Sequence, residues 1–305
     1  MDLAIVPIGW YHRTRVTDPY WRYLFWLEFA AALFLIVGLI AVRRELSLKR
    51  EGLIPLGRVF VPLALATFAA EHFTSADHIK DMIPSFVPWH LFVAYFVGVA
   101  LLAAAVSIVT RIYVRLAATL LGVMLLLFVV MLSVPNLAAH PGDRFAWALV
   151  TRDTLFALGA WALAGRWVTA CRVCIGAILL FFGVEHLLHP ANLPGVPLEQ
   201  MTLPWIPLRP FWGIAMGAML LVCGAMILID RHARAAAAWL GIATTIVVII
   251  LYLPLLIVAR QPLEVTTAMN YIGDTLLFAG SIFLLAEALP AYSFESSRQF
   301  QPASA

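Results

Sequence analysis

The stretch LFVAYFVGVALLAAAVSIVT, residues 91–110, decides the fold class of this chain, because it runs for twenty residues without a charged side chain. An uncharged apolar run of ~18 residues or more is long enough to cross the hydrocarbon core of a bilayer as an α-helix. Three further runs, 116–139, 211–229 and 235–259, satisfy the same criterion. The pattern therefore predicts several membrane-spanning helices.

The composition of the whole chain supports this interpretation. Of its 305 residues, 63% are hydrophobic and 12% are charged, whereas soluble domains average about 25% charged residues. A transmembrane β-barrel would show short segments of alternating polarity instead of long continuous runs. We therefore predict an all-α polytopic transmembrane bundle of about nine spans. The predicted spans are residues 22–42, 55–73, 89–110, 113–135, 147–166, 171–189, 210–229, 235–259 and 269–290.

The basic residues predict the orientation of the chain. They concentrate in the loops that follow the first, third, fifth and seventh spans, and cytoplasmic loops are the ones that carry excess Lys and Arg. This predicts a multi-pass membrane protein with its amino terminus outside and its carboxyl terminus in the cytoplasm. The basic residues in question are Arg43, Arg44, Lys49, Arg50, Arg58, Arg111, Arg115, Arg166, Arg172, Arg231 and Arg234.

The second half of the chain repeats features of the first. Glu71-His72 recurs as Glu185-His186 at an offset of 114, and Leu121-Gly122 recurs as Leu240-Gly241 at an offset of 119. Each predicted unit has four spans, and an even number returns the chain to its starting side, so the units are predicted to be parallel repeats. The predicted division is an N-terminal segment with a leading helix (1–50), a first unit (51–168), a second unit (169–293) and a cytoplasmic tail (294–305).

Ionisable residues inside the predicted spans are the candidate site. Such residues cost about 2.5–3.5 kcal/mol each at the centre of a membrane helix on insertion scales, and they persist where a partner, a cavity or water compensates. Glu71 and His72 lie near the outer end of the second span, and Asp153 lies in the outer part of the fifth. The repeat places Glu185 and His186 beside Asp274 in the same way. We therefore predict two equivalent clusters in the outer leaflet.

Neighbouring polar residues enlarge these clusters. Arg152 adjoins Asp153 and is predicted to pair with Glu71, while Asn270 lies one helical turn from Asp274. All of these side chains are predicted to contact a ligand.

The end of the sixth span adds His189, which also belongs to the predicted ligand-binding set. Spacings of three and four place it on the same helix face as His186 and Glu185, and Pro190 is expected to end the helix. The proline-rich loop 189–210 is predicted either to fold back as a lid over Glu185 and His186 or to be an inert linker.

Three interpretations of the clusters remain open. In the first, Glu, His and Asp satisfy one another and hold the helices together. In the second, they bind a small polar ligand or a quinone headgroup, with His and Glu exchanging protons. In the third, His and carboxylate groups hold a metal ion or haem, although the chain lacks a His-Glu-x-x-His motif. The sequence assigns neither a catalytic residue nor a cofactor.

The segment LLFFGVEHLLHPANLPGVP, residues 179–197, carries a resemblance to a known family. Gly183, Glu185 and His186, followed by a proline-containing outer loop, resemble the end of the first helix in the DoxX/DoxD-like superfamily of small four-helix membrane proteins. Glu71 and His72 match less well, because Ala69 stands where the pattern has glycine. The resemblance covers about residues 55–290 as two fused units.

This resemblance implies a redox-linked role. Members of the superfamily include the membrane subunit of a thiosulfate:quinone oxidoreductase and a maturation protein for methylamine dehydrogenase. It therefore implies a membrane subunit of a redox assembly that binds a quinone or small polar ligand near the outer face, with other membrane or periplasmic redox subunits as partners. A structural or accessory subunit and a small-solute transporter are the alternatives. The superfamily consists of small bacterial membrane proteins, so the resemblance implies the lipid bilayer of a bacterial inner membrane as the surroundings. Nothing in the sequence indicates nucleic-acid binding.

Overall fold

The structure is a computed structural model that describes residues 20–195, 201–259 and 261–291. Within these ranges the chain folds into nine helices of membrane-spanning length, which confirms the predicted all-α polytopic bundle. The predicted tail 294–305 and the start of the N-terminal segment lie outside the described residues. The helices are α1 Tyr20–Val42, α2 Gly57–Thr74, α3 His90–Thr110, α4 Val114–Ala139, α5 Arg144–Leu163, α6 Val168–Leu188, α7 Arg209–Leu228, α8 Ala233–Val258 and α9 Pro262–Ala288.

Eight of these helices in the described part of the chain are long and apolar enough to cross a membrane by composition alone. The exception is α5, because Arg152 and Asp153 lie at its middle and lower its hydropathy. Since α5 packs against α4, α6 and α9, it spans the bundle with its polar groups turned toward other helices.

Two of the predicted helix boundaries are wrong for identifiable reasons. The fourth span is predicted to end at residue 135, but α4 continues to Ala139 through a π-helical turn at Val129–Ser133. A wider turn of this kind accommodates Pro135, which has no N–H to donate. The ninth span is predicted to begin at residue 269, but α9 begins seven residues earlier, where the side chains of Gln261 and Glu264 form a capping box.

Backbone irregularities recur at the offset of 119 that the sequence shows. The π turn of α4 has a counterpart at Val248–Tyr252 in α8. Residues with left-handed backbone conformation precede α3 and α7, at Trp89 and Leu208, and precede α4 and α8, at Tyr113 and His232. Each pair is separated by 119 residues, so corresponding helices begin and deform at corresponding positions.

The two predicted units interlock. Helix α2, the first helix of one unit, packs against α9, the last helix of the other, and α6 packs against α5 in the same manner. The last helices α5 and α9 contact each other at the centre, whereas no Cα atom of α2 comes within 8 Å of one in α5, both helices being fully described. A Cβ on Gly280 of α9 would lie 2.7 Å from Val61 of α2, and one on Gly159 of α5 would lie 2.5 Å from Ser281 of α9. Glycine thus permits both close contacts.

Charged residues fix the other end of the same helices. Arg58 at the start of α2 donates two hydrogen bonds to Glu287 near the end of α9, at 2.9 and 2.5 Å. Arg234 donates to the backbone oxygens of Ala286 and Leu289, at 2.7 and 2.8 Å, where helix α9 ends. Such carbonyls have no partner within the helix, so these contacts stabilise the end of α9.

Helix α1 lies on the outside of the bundle. Leu24 and Leu27 are buried against α2, while most of its remaining surface is exposed. Its exposed side chains include Phe25, Trp26 and Phe29, as expected for a helix that faces lipid.

Candidate functional site

Arg152 on α5 joins two aspartates at the centre of the bundle. Its Nε donates to Asp153 Oδ1 at 2.8 Å, and its Nη1 donates to Asp274 Oδ2 on α9 at 2.8 Å. Asp153 and Asp274 are equivalent positions of the predicted repeat, and one guanidinium therefore pairs with both. The equivalent of Arg152 itself is Gly273, so this central position holds a single cation.

This ion cluster lies deeper than the sequence predicts. Asp153 is nine residues past Arg144, roughly 13 Å along α5 at ~1.5 Å per residue, and Asp274 lies midway along α9. The sequence predicts the outer leaflet because it predicts these two helices to begin at residues 147 and 269, whereas they begin at residues 144 and 262. The predicted positions of the two aspartates are therefore too close to the membrane surface. The side chains of Arg152, Asp153 and Asp274 nevertheless remain 17%, 20% and 19% exposed. The described helices therefore enclose these three side chains only in part.

Glu71 extends the cluster toward the C-terminal end of α2. Its Oε1 accepts a hydrogen bond from the hydroxyl of Tyr23 on α1 at 3.2 Å and lies 3.5 Å from Nδ2 of Asn270 on α9. Asp274 lies within electrostatic range of Glu71. The set Glu71, Arg152, Asp153, Asn270 and Asp274, with Tyr23 and Ser133 at its edges, is here called the central polar cluster.

The central polar cluster has more acceptors than donors. It contains three carboxylates and one guanidinium, and Arg152 is already shared between two of the carboxylates. The amide oxygen of Asn270 is buried and has no hydrogen-bond partner among the described residues. Because an unsatisfied buried polar atom costs about 1–3 kcal/mol, this arrangement favours a ligand that donates hydrogen bonds or carries positive charge.

Glu185 lies in a separate ion pair. Its Oε2 accepts from Arg144 Nε at the start of α5 at 2.8 Å, and its side chain is 15% exposed. The sequence assigns Arg144 to an outer loop and does not predict it as a site residue. Glu185 therefore has a dedicated cation, which Glu71 lacks among the described residues.

His186 is sealed by the loop that follows α6. Its Nδ1 lies 2.6 Å from the carbonyl oxygen of Phe182, so Nδ1 carries the proton and Nε2 is the acceptor. The backbone N–H of Gly195 donates to that Nε2 at 2.9 Å, and Tyr252 on α8 donates to the carbonyl of Pro194 at 3.2 Å. Residues 190–195, here called the outer plug, therefore contact both α6 and α8. For this part of the loop, the contacts agree with the prediction that it folds back over His186. Residues 196–200 lie outside the described part of the chain.

His72 occupies the equivalent position without a plug among the described residues. A Cβ on Gly98 would lie 2.9 Å from the Cβ of His72, and one on Gly217 would lie 3.1 Å from the Cβ of His186, so the two histidines pack alike. Nδ1 of His72 likewise lies 2.8 Å from the carbonyl of Phe68. Its Nε2 has no partner in the described ranges, and its ring is half-buried, whereas His186 is 4% exposed. Within the described ranges, His72 is therefore less enclosed than His186.

Comparison with protein-family models, curated proteins and solved structures finds no match for this chain. Among the residues described, no group of three or more His, Cys, Asp or Glu side chains is arranged to hold a metal ion.

The prediction of two equivalent clusters is wrong in its geometry. The sequence places Glu71 with Asp153 and Glu185 with Asp274. In the structure, however, the first helix of each unit packs against the last helix of the other unit. Glu71 therefore meets Asn270 on α9, and Glu185 meets Arg144 on α5. The ligand-binding role of these residues stays a prediction.

Two smaller expectations are also corrected. Arg152 does not pair with Glu71, because α2 and α5 are apart and two aspartates lie nearer. His189 does not share a helix face with Glu185, because α6 ends at Leu188 and His189 adopts a non-helical backbone conformation. The prediction that the helix ends before Pro190 is correct.

Two polar contacts of the cluster were not predicted from the sequence. Ser133 donates to Asp153 Oδ2 at 3.2 Å from the π turn of α4, and Tyr23 reaches Glu71 from α1. Ser133 stands out as a polar residue within an uncharged span, which is a signal that could have identified it. Tyr23 gave no such signal, because aromatic residues are common at membrane boundaries.

The open and closed histidine positions make a direct prediction. In a variant without native cysteines, His72→Cys is expected to react with a membrane-impermeant thiol reagent added from outside, because no described segment covers that position. His186→Cys is expected to react at least about tenfold more slowly, because the outer plug must open before the reagent can reach the thiol. A free energy of opening of ~1.4 kcal/mol is enough to slow the reaction tenfold. Labelling rates followed by mass spectrometry measure the ratio. Equal rates would contradict the asymmetry, and reaction of His72→Cys from the inside alone would contradict the orientation.

Proposed function

We propose that this integral membrane protein binds a small donor-bearing ligand at the central polar cluster, and that the ligand enters from the outer face. The observation that carries the proposal is the excess of acceptors in a cluster of partly exposed side chains. Three carboxylates face one guanidinium, and the buried amide oxygen of Asn270 has no partner among the described residues. Hydroxyl or amine donors of a ligand would satisfy this unmet capacity.

A reduced quinone headgroup is the ligand class that fits best. A quinol has two hydroxyl donors on an apolar ring, and its tail is soluble in lipid, whereas an oxidised quinone offers carbonyl acceptors to a site already rich in acceptors. Glu71, with its hydroxyl and amide neighbours, is the expected acceptor for one hydroxyl group. Such a ligand agrees with the redox-linked membrane subunit, acting with other membrane or periplasmic redox subunits, that the DoxX/DoxD-like resemblance implies.

The two units support different roles in this proposal. The outer plug already occupies the neighbourhood of His186, with its N–H and C=O groups satisfying His186 and Tyr252. The corresponding region beside His72 has no such segment among the described residues. We therefore assign ligand access to the first unit and a closed, structural role to the second.

A binding measurement tests the proposal. The purified protein in lipid nanodiscs is titrated anaerobically with a short-chain ubiquinol and, separately, with the oxidised form. Glu71→Gln is expected to weaken quinol binding at least about tenfold, because a hydrogen bond to a charged group is worth ~1.5–3 kcal/mol.

Glu185→Gln is the matched control. It removes the equivalent carboxylate, but that group is paired with Arg144 and lies outside the central polar cluster. The quinol affinity of this variant is expected to stay within about twofold of that of the unmodified protein, because Glu185 is not among the residues of the central polar cluster. Tighter binding of the oxidised form, or equal losses in the two variants, would refute the assignment.

A structural or accessory role is the second candidate. The observation that favours it is the Arg152 bridge, which ties the last helices of both units together through Asp153 and Asp274. If the cluster serves only to hold the bundle together, substitutions in it are expected to change stability and assembly. The unmodified protein is then expected to bind no quinol.

The orientation and location are proposed from the loops. Ligand access from the outer face requires the end of α2 that carries Glu71 to lie outside, and the excess of Lys and Arg in the opposite loops supports this. The proposal therefore places the protein in the bacterial inner membrane with a cytoplasmic carboxyl terminus.

A further inference from the structure

The hydrogen bond between Gly195 and His186 requires a neutral imidazole ring. Nδ1 of His186 lies 2.6 Å from the carbonyl oxygen of Phe182, and a carbonyl oxygen only accepts, so Nδ1 carries a proton. Nε2 accepts from the backbone N–H of Gly195 at 2.9 Å and must therefore keep its lone pair. A second proton on the ring would place two N–H groups against each other. A protonated His186 and the closed outer plug therefore exclude one another.

The surroundings of His186 give a positive charge no net compensation. Among the described residues, the charged groups that act on the ring are Glu185, which attracts a cation, and Arg144 on α5, which repels it. These two are already paired with each other at 2.8 Å. From the other helices, Gly217 of α7 packs against the Cβ of His186, and α8 presents the hydroxyl of Tyr252 to the plug. The ring is 4% exposed, so a charged ring reaches water only when the plug moves.

Gly195 is the residue that allows the plug to close. Its φ is +142°, a backbone conformation that glycine adopts readily and other residues rarely do. A Cβ at this position would collide with the hydroxyl of Tyr252. Leu193, two residues earlier, is 1% exposed and belongs to the hydrophobic core. The closed plug is therefore a specific packed arrangement and depends on a glycine at its end.

We propose that the outer plug is a lid released by protons: it is closed over His186 at neutral pH, and protonation of Nε2 opens it. Because the open form binds a proton and the closed form does not, acid shifts the equilibrium toward the open form. The closed plug is stable above about pH 6.5, where an accessible imidazole is neutral, and it loses stability as the pH falls below that value. This inference does not depend on ligand binding at the central polar cluster.

Amide hydrogen exchange tests the proposal on the unmodified protein. The purified protein in lipid nanodiscs is exchanged at about pH 7.5 and about pH 5, the range over which an accessible imidazole changes its charge. Exchange at the amide of Gly195 is measured by mass spectrometry with fragmentation, and each rate is divided by the intrinsic rate of an unstructured chain at the same pH. The protection of this amide is expected to fall at least about tenfold in acid. Amides in the middle of α6 are expected to keep their protection, because the bundle itself stays folded.

Two variants separate His186 from other acid-sensitive groups. His186→Gln retains an oxygen that can accept from Gly195 but cannot take up a proton, so protection is expected to be the same at both pH values. His189→Gln, the same change three residues along the chain, leaves His186 in place and is expected to keep the fall in protection. Constant protection in the unmodified protein, or a fall that persists in His186→Gln, would overturn the proposal.

Gly195→Ala provides the open state as a reference. Its Cβ is expected to prevent closure against Tyr252, so the amide at position 195 is expected to be weakly protected at both pH values. Its protection should match the level that the unmodified protein reaches in acid. Strong protection of this amide in Gly195→Ala at neutral pH would contradict the closed geometry on which the proposal rests.

Discussion

Replacing Arg152 by glutamine is expected to lower the free energy of unfolding by about 3 kcal/mol, the scale on which breaking a buried ion pair destabilises proteins. The reason is that Arg152 is the common partner of Asp153 and Asp274. Without it, two carboxylates face each other midway across the membrane, close to a third on Glu71. Unfolding of the purified protein by sodium dodecyl sulfate, followed by Trp fluorescence, measures the change.

Removing the carboxylates tests whether charge is the cause. The triple variant Arg152→Gln, Asp153→Asn, Asp274→Asn is expected to regain most of the lost stability, because neutral amides do not repel one another. Arg144→Gln is the matched single change, and it is expected to cost less than Arg152→Gln because it leaves one carboxylate without its cation instead of two. Full stability in Arg152→Gln would show that the bridge does not hold the two units together.

Replacing Gly176 by valine is expected to destabilise the second unit by about 3 kcal/mol through overpacking. Gly176 on α6 faces the backbone of α7, and a Cβ there would lie 2.8 Å from the nitrogen of Leu228. Backbone cannot rotate out of the way as a side chain can, so the two helices must separate. The same detergent titration measures the loss.

Gly142→Val is the matched control. This glycine lies between α4 and α5 and does not adopt a positive φ, and a Cβ added to it would meet no heavy atom within 4 Å beyond its chain neighbours. The same substitution is therefore expected to change stability by less than about 0.5 kcal/mol. A similar loss in both variants would mean that valine acts through helix or turn propensity rather than through the contact between α6 and α7.

The helices were predictable because their signal is local. Residues 91–110 and 235–259 are long and uncharged, and a bilayer allows little else for such a run than a spanning helix. The start of α9 was missed because Glu264 reads as a loop residue, although it forms a capping box with Gln261. The length of α4 was missed because a proline usually ends a helix, and the π turn that accommodates Pro135 has no clear sequence signature.

The candidate site was predictable only as a set of residues. Glu71, Arg152, Asp153, Asn270 and Asp274 were each identified by the cost of a polar group inside a membrane, and the structure brings these five together. The partners of these residues were predicted wrongly, because the depth of a residue along its helix does not determine which helices are neighbours. Depth alone gives Glu71 two equally suitable aspartates.

The sequence by itself determined that this protein crosses the membrane many times, which residues the bilayer penalises, and that features recur about 119 residues apart. These are properties of single helices, fixed by length, polarity and spacing. Only the tertiary structure decided that α2 packs on α9 and α6 on α5, and that the outer plug covers His186 while no described segment bonds to Nε2 of His72. The packing of α2 and α5 on α9 depends on close contacts at Gly57, Gly159 and Gly280. The fit at such contacts is a property of two surfaces and cannot be predicted from either one alone.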